Sequence, residues 1–147
     1  MFYDYYKSME DKGLFIKILD NGGALWRKSI ENGLGKSQYL VIGLVNGFIA
    51  GYSWGYITLS PAYLESKFIG VWNALYVAPE YRSLGLSKLL FLETEKWFTE
   101  KKVHSFEAYS LMGNTHSMQG IKKMGFAEEL IQYRKFVPLQ ENKDAAF

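Results

Sequence analysis

The sequence predicts a mixed α/β fold, with an α+β arrangement in which helices flank a central mixed, largely antiparallel sheet. Two β-rich runs flank Asn46-Gly47, a strand leads through a glycine turn into a long amphipathic helix, and shorter strands and helices alternate after it. The chain has 147 residues, of which 48% are hydrophobic. This is long enough for one core and too apolar for a disordered chain. We therefore expect a single domain over residues 1–147.

The beginning of the chain permits two interpretations. It fits either a short strand over residues 2–6 or a helix running through residues 14–19, and the pattern alone does not choose between them. Over residues 24–32 the apolar positions recur at helical spacing, and Asn32-Gly33 provides a stop. We therefore expect a helix at this second position.

A hairpin is the clearest local signal in the chain. Residues 39–45 and 48–52 are rich in β-branched and aromatic side chains, and they are joined by Asn46-Gly47. A tight primed turn needs positive φ at both central residues, which this dipeptide allows. The pattern therefore predicts two antiparallel strands, the second of which continues toward Leu59.

The second half of the chain alternates between strand and helix patterns. Helices are recognised by an apolar stripe and a terminal glycine, and strands by short apolar or alternating runs. The predicted elements are a strand over 71–77 ended by Pro79, a helix over 86–101, a strand over 104–110, a helix over 115–124 stopped by Gly125, a final strand over 131–137 and a frayed polar tail over 140–147.

Composition narrows the function classes. The net charge is only +2, from 17 basic and 15 acidic residues, which argues against a dedicated nucleic-acid binder. Cysteine is absent, so no disulfide framework, thiolate metal site or cysteine nucleophile can form. No uncharged apolar run approaches the ~20 residues that span a membrane, and no secretory leader is evident. We expect a cytoplasmic protein with no metal, membrane or nucleic-acid partner.

A phosphate-binding turn is predicted within residues 75–90, where a strand runs into a turn that opens a long helix. The first amides of that helix lack intrahelical partners and lie at the positive end of its dipole. Gly85 and Ser87 leave room for an anion, and Arg82 and Lys88 can add positive charge. A glycine turn that only caps the helix is an alternative at this point.

Two segments resemble the GNAT (Gcn5-related) N-acetyltransferase family. Residues 75–87 are similar to its acyl-CoA motif, R-x-x-G-x-G or R-x-x-G-x-A after a strand ending in Val-x-Pro. Arg82, Gly85 and Ser87 occupy the three motif positions, and Ser87 replaces the usual Gly or Ala. Residues 114–126 resemble the later helix of the family, which starts at Asn and ends in Gly-Phe.

The resemblance, which covers residues 36–137 in element order, implies a cofactor site. The strand at 75–77 would pair with pantetheine and splay from the strand at 106–110, and the amides of 82–87 would hold the pyrophosphate of acetyl-CoA. The acceptor amine would attack the thioester directly. The residues that the resemblance and the phosphate-binding turn assign to the cofactor are Leu75, Tyr76, Val77, Arg82, Ser83, Leu84, Gly85, Leu86, Ser87, Lys88 and Asn114.

The acid–base residues depart from the family pattern. The tyrosine that protonates the leaving thiolate in many members corresponds to Ile121 here, and residues 71–74 lack the glutamate that often acts as a base. Tyr109 and His116 are the candidate substitutes, although each is also compatible with a rim or surface role. Histidine is suited to proton transfer near neutral pH.

Three functions remain to be compared. The first is an N-acetyltransferase that transfers an acetyl group from acetyl-CoA to a primary amine on a small molecule or a protein. The second is a catalytically degenerate acyl-CoA-binding or protein-interaction module, and the third is an unrelated domain that recognises RNA through aromatics. An aromatic-rich surface is also compatible with a homodimer. The aromatics that could line an acceptor pocket or simply fill the core are Trp54, Tyr56, Trp72 and Tyr76.

Overall fold

The computed structural model describes residues 1–65 and 67–135. Among the helices of these residues, none combines the length and apolar character needed to cross a bilayer. The elements are α1 (Phe2–Glu10), α2 (Gly22–Glu31), β1 (Gln38–Val45), β2 (Phe48–Leu59), β3 (Phe68–Val77), a 3₁₀ turn (Pro79–Tyr81), α3 (Leu86–Glu100), β4 (Ser105–Ala108) and α4 (Thr115–Lys123).

The sheet runs in the order β1-β2-β3-β4. β1 pairs with β2 and β2 with β3 in antiparallel fashion, whereas β3 and β4 are parallel. Asn46 and Gly47 have φ angles of 51° and 82°, the positive values that a primed hairpin turn requires. The predicted mixed, largely antiparallel sheet is therefore confirmed, together with its hairpin.

Most predicted boundaries lie within a few residues of the observed ones. The helices expected over 24–32, 86–101 and 115–124 correspond to α2, α3 and α4, and the strand expected over 71–77 corresponds to the later part of β3. The strand expected over 104–110 is shorter, because β4 ends at Ala108 where its pairing with β3 stops. This early end matters for the site described below.

A β-bulge interrupts β3 near its middle. Trp54 of β2 pairs with Ala74, and the next residue, Gly55, pairs with Trp72, so Asn73 has no partner on β2. Because β3 and β4 pair no further than Trp72, Asn73 also has no partner on β4. An extra residue of this kind bends a strand and re-aims the side chains that follow it.

The bulge changes which residues of β3 face α3. Before it, the Trp72 ring packs 4.7 Å from the ring of Phe91 on α3. After it, Leu75 packs against the same core, while Tyr76 packs beside Tyr52 in a second cluster on the opposite face. Without the bulge, period-two alternation would place Leu75 on the face opposite Trp72.

The core between the sheet and α3 is closely packed. Phe98 is 2% exposed, and a Cβ on Gly55 or Gly70 would lie only 2.8 Å or 2.9 Å from its ring, so both positions need glycine. Ser53 and Thr94 are buried, and their hydroxyl oxygens lie 2.8 Å apart in a hydrogen bond that links β2 to α3. These contacts fix the position of α3 against the strands.

Both interpretations of the start of the chain are wrong. Residues 2–6 lie in α1 rather than in a strand, and residues 14–19 form no helix. α1 is stabilised by its aromatic side chains, such as Phe2, whose ring lies 5.0 Å from Trp26 of α2. Gly13, with φ of 97°, lies in the turn that follows α1, and the chain is irregular from there to α2.

The final strand predicted over 131–137 is wrong for residues 131–135, which adopt no regular secondary structure. Alternation stabilises a strand when one face packs on a core. Here residues 131–135 are all exposed, with Ile131 at 65% and Tyr133 at 88%, so neither face of the segment is buried. The remaining two residues of that prediction and the tail over 140–147 lie outside the described residues.

Candidate acyl-CoA cleft

A cleft opens where β3 and β4 separate. The two strands pair over only four residues, and the last pair is Trp72 with Ala108. β3 continues to Val77, so residues 73–77 run beyond the last β4 pair. Beside them lies a cleft of about 690 Å³, which we call the β3–β4 cleft. Its β3 wall is a strand edge with backbone groups available for an extended ligand.

Four other parts of the chain complete the walls. They are residues 108–110, the helix α4, the N-terminus of α3 and the helix α1 with Lys12 after it. The cleft is therefore bounded by segments that are far apart in sequence. The predicted site residues that line it are Leu75, Tyr76, Val77, Arg82, Ser83, Gly85, Leu86, Ser87, Tyr109, Asn114 and His116.

Two predicted cofactor residues lie outside the lining of this cleft. Leu84 is 63% exposed. Lys88 instead lines an adjoining groove of about 760 Å³ between α3 and α4, which shares Ser87 and His116 with the cleft. The groove is also lined by Lys123 and Glu95, so it carries two ammonium groups and one carboxylate.

The turn before α3 has the backbone of an anion cradle. Ser83 and Gly85 adopt positive φ, 65° and 77°, and Gly85 is the N-cap of the 15-residue helix without any side-chain cap. No backbone carbonyl of the described residues accepts a hydrogen bond from the amides of residues 83–87. These donors lie at the positive end of the α3 dipole, an arrangement that favours phosphate.

Arg82 is held beside this cradle. Its Nε donates to the carbonyl oxygen of Val77 at 3.1 Å, which ties the side chain to the end of β3. The side chain therefore reaches from the turn back to the strand edge that lines the cleft. A guanidinium placed in this way can contribute charge-assisted hydrogen bonds to phosphate oxygens through its other N–H groups.

Asn114 fixes the start of α4. Its Oδ1 accepts a hydrogen bond from the Ser117 amide at 3.3 Å, as an N-cap side chain should. The preceding Gly113 lies so close to the end of the α1 region that a Cβ would be 2.6 Å from the Lys12 carbonyl oxygen. The loop before α4 and the segment after α1 are therefore in direct contact at one end of the cleft.

Tyr109 lies at the exposed rim of the cleft and is paired with a carboxylate. Its hydroxyl donates to Oε2 of Glu107 at 2.7 Å, and this hydrogen bond, with burial and the charge of Glu107, raises the pKa of Tyr109 to about 12. Tyr109 is therefore a phenol at neutral pH. It can donate a proton, whereas it is too weak an acid to serve as a phenolate base.

His116 and Ile121 lie on α4 and both line the cleft. His116 is in the first turn, at the boundary between the cleft and the adjoining groove. Ile121 packs partly against the core beneath the sheet and has no group that can exchange a proton. The described residues contain no cluster of three or more His, Asp or Glu side chains that could hold a metal ion.

Sequence reasoning missed the contribution of α1 and of the bulge. Tyr5, Met9 and Lys12 line the cleft, as does Asn73. The Tyr5 hydroxyl lies 3.5 Å from the Asn73 carbonyl oxygen, and burial raises the pKa of Tyr5 to about 12. The spacing of four and then three residues from Tyr5 to Lys12 is helical and could have indicated one face of a helix.

The sequence matches the model of the Acetyltransferase (GNAT) family over residues 6–126. Among curated proteins no match is found. Known structures share the fold at low identity. AAC(6')-Iy in complex with the bisubstrate analogue CoA-S-monomethyl-acetylneamine is 22% identical, with 86% of this chain and 87% of that chain covered and a TM-score of 0.69.

Two further structures have the same fold. The aminoglycoside acetyltransferase meta-AAC0020, from an uncultured soil metagenomic sample and in complex with sisomicin, is 17% identical, with 93% and 86% of the two chains covered and a TM-score of 0.68. A putative acetyl transferase from Pyrococcus furiosus is 16% identical, with 92% and 93% covered and a TM-score of 0.69.

Proposed function

Since the chain belongs to the acetyltransferase (GNAT) family and is thus an acyltransferase, we propose that it transfers the acetyl group of acetyl-CoA to a primary amine by direct attack. The observation that carries this proposal is the β3–β4 cleft, which joins the part of β3 beyond its last β4 pair to the N-terminus of α3. The edge suits an extended amide-containing arm, and the helix end suits its phosphates.

The residues of the cleft fit acetyl-CoA. The volume of the β3–β4 cleft, about 690 Å³, is within the usual range for a small-molecule site. We assign the pantetheine arm to the backbone of residues 75–77 and to Asn114. We assign the pyrophosphate to the amides of 83–87, because the Arg82 amide donates to the Pro79 carbonyl oxygen. We assign Lys88, which lines the adjoining groove, to an outer phosphate of the cofactor.

Bound acetyl-CoA would supply a thioester carbonyl that an amine can attack. A backbone N–H in residues 75–77 would stabilise the oxyanion as the C–N bond forms and the C–S bond breaks. The attacking amine gives up one proton, and His116 is the candidate to accept it. The departing thiolate takes one proton, and Tyr109, held as a phenol by Glu107, is the candidate to donate it.

The proposed acceptor is a primary amine on a small molecule. Several proteins of the same fold are named aminoglycoside N-acetyltransferases, and one is in complex with sisomicin, which supports a small-molecule amine as the first class to test. Tyr5 of α1 and Tyr76 of β3 both line the cleft, and they pack with the buried Tyr52 in one aromatic cluster. A protein amine is the second class to test.

Titration calorimetry with acetyl-CoA tests the cofactor assignment directly. Wild-type protein should bind with micromolar affinity, and Gly85→Glu, which places bulk and negative charge in the cradle, should abolish binding. Release of free CoA with sisomicin, spermidine and phenethylamine then tests transfer. Binding without release would favour the acyl-CoA-binding module, whereas absence of binding by the wild-type protein would contradict the proposal.

A further inference from the structure

Two oxygen atoms meet at the point where β3 leaves β4. The Tyr5 hydroxyl oxygen lies 3.5 Å from the carbonyl oxygen of Asn73, and both residues line the β3–β4 cleft. Asn73 is the bulge residue and appears in neither strand register. Because the next residues of β3 form the edge assigned to the thioester arm, this pair of oxygens lies beside the proposed reaction centre.

The Tyr5 side chain is held in place by other tyrosines. Its ring is edge-on to Tyr6 at 5.1 Å, to Tyr52 at 6.3 Å and to Tyr76 at 6.4 Å. Burial raises the pKa of Tyr5 to about 12, so the side chain is a neutral phenol at physiological pH and does not act as a base. A phenol has one donor and two acceptor lone pairs.

The Tyr5 hydroxyl donates to the Asn73 carbonyl oxygen in a long hydrogen bond, and each oxygen keeps a lone pair for a further donor beside the pair. An O–H···O bond at full strength is about 2.7–2.8 Å long, whereas Tyr5 and Asn73 are 3.5 Å apart. One nitrogen can therefore lie within the usual N–H···O distance of about 2.7–3.2 Å from both oxygens. An unprotonated primary amine has two N–H donors and one lone pair, which matches two acceptors and an electrophile.

Resting on the proposed acetyl transfer, we propose that the Tyr5 hydroxyl oxygen and the Asn73 carbonyl oxygen together seat the attacking amine. Each accepts one of its two N–H groups, which leaves the nitrogen lone pair free to face the thioester carbonyl. Tyr5 keeps its own proton. Once the C–N bond has formed, one of the two N–H protons leaves its acceptor and passes to His116, so the proton balance of the reaction is unchanged. The seat selects primary amines, because an N-methylated amine has only one N–H group once deprotonated.

The test compares Tyr5→Phe with Tyr6→Phe. Tyr6 is the neighbouring half-buried tyrosine of α1 and does not line the cleft, so its substitution removes the same hydroxyl group from the same helix. Phenethylamine and spermidine serve as acceptors, each compared with its N-methylated form. Acetyl-CoA affinity is measured by calorimetry for all three proteins.

For Tyr5→Phe we expect unchanged acetyl-CoA affinity and about a tenfold fall in kcat/KM for the primary amines, the loss of about one hydrogen bond. The preference for the primary over the N-methylated acceptor should shrink in the same variant, an effect that loss of packing would not produce. Tyr6→Phe should behave like the wild type in all three measurements.

Two results would overturn the proposed seat without affecting the proposed acetyl transfer. One is an unaltered kcat/KM in Tyr5→Phe, and the other is a fall in kcat/KM that leaves the preference for primary amines intact. An equal fall in Tyr6→Phe would assign the effect to α1 packing and would also overturn it. If wild-type protein binds acetyl-CoA but acetylates no amine, acetyl transfer fails first and the seat fails with it. This failure of acetyl transfer is distinguished from failure of the seat alone, because it is seen with the wild-type protein and needs no variant.

Discussion

Gly85→Ala tests two roles of Gly85 separately: its effect on the stability of the fold and its effect on acetyl-CoA binding. Gly85 has φ of 77°, and a Cβ built there meets nothing within 4 Å. The cost to folding is therefore only that of a left-handed residue with a side chain, about 1–2 kcal/mol. For a chain of this size the expected fall in Tm is about 2–8 °C. Gly47, in the hairpin turn, has φ of 82° and equally open surroundings, so Gly47→Ala should cost about the same.

Acetyl-CoA affinity should distinguish these two variants. The methyl group of Gly85→Ala lies where a phosphate must approach the amides, and losing one charge-assisted hydrogen bond of about 1.5–3 kcal/mol weakens binding about 10–150-fold. Gly47→Ala should bind as tightly as the wild type. Differential scanning calorimetry gives the Tm values, and titration calorimetry gives Kd. Equal affinity in both variants, at similar Tm, would refute the cradle.

Two further predictions concern the sheet and the cleft rim. Ser53→Ala removes the acceptor of the buried Trp72 indole N–H, which lies 2.9 Å from Ser53 Oγ, and should lower the free energy of unfolding in urea by about 1–3 kcal/mol; an unchanged urea midpoint would contradict it. Glu107→Gln should lower the pKa of Tyr109 from about 12 toward that of an ordinary phenol, seen as earlier phenolate absorbance. Because the folded-state pKa of Tyr109 is raised, its contribution to stability is full below about pH 10 and is lost as pH rises toward about 12. Glu107→Gln should lose less stability than the wild type between about pH 10 and pH 12. Superimposable phenolate titration curves for the two proteins would contradict the proposed effect of the Tyr109–Glu107 hydrogen bond.

Local signals were sufficient for most of the fold. The hairpin was predictable because Asn46-Gly47 has the positive φ that few residues tolerate, and α3 because its apolar stripe follows a glycine turn. The cradle residues from Arg82 to Ser87 are contiguous in sequence, so a motif could locate them. Of these six residues, only Leu84 lies outside the lining of the cleft.

Features that depend on tertiary contacts were not predictable. α1 was missed because its aromatic residues are equally common in strands, and its helical form is decided by packing on α2 and the sheet. The bulge at Asn73 has no sequence signature, since it is defined by a register shift against β2. The strand expected over 131–137 shows the converse, because alternation alone did not provide residues 131–135 with a neighbour to pair with.

The early end of β4 and the bulge in β3 create the cleft. The two proposed tasks of the cleft, binding acetyl-CoA and choosing the amine, belong to separate parts of the molecule. The cradle is built on α3, which is fixed by Phe98 and by the hydroxyl pair of Ser53 and Thr94 in the closely packed core. The wall formed by α1 packs through half-buried aromatic side chains such as Phe2 and Tyr5 and has no fully buried residue of its own. Substitutions of the α1 residues that line the cleft, Tyr5 and Met9, should therefore change the choice of amine while leaving acetyl-CoA affinity intact, and substitutions in the turn before α3 should do the opposite. An α1 variant that lost both activities together would show that this division does not exist.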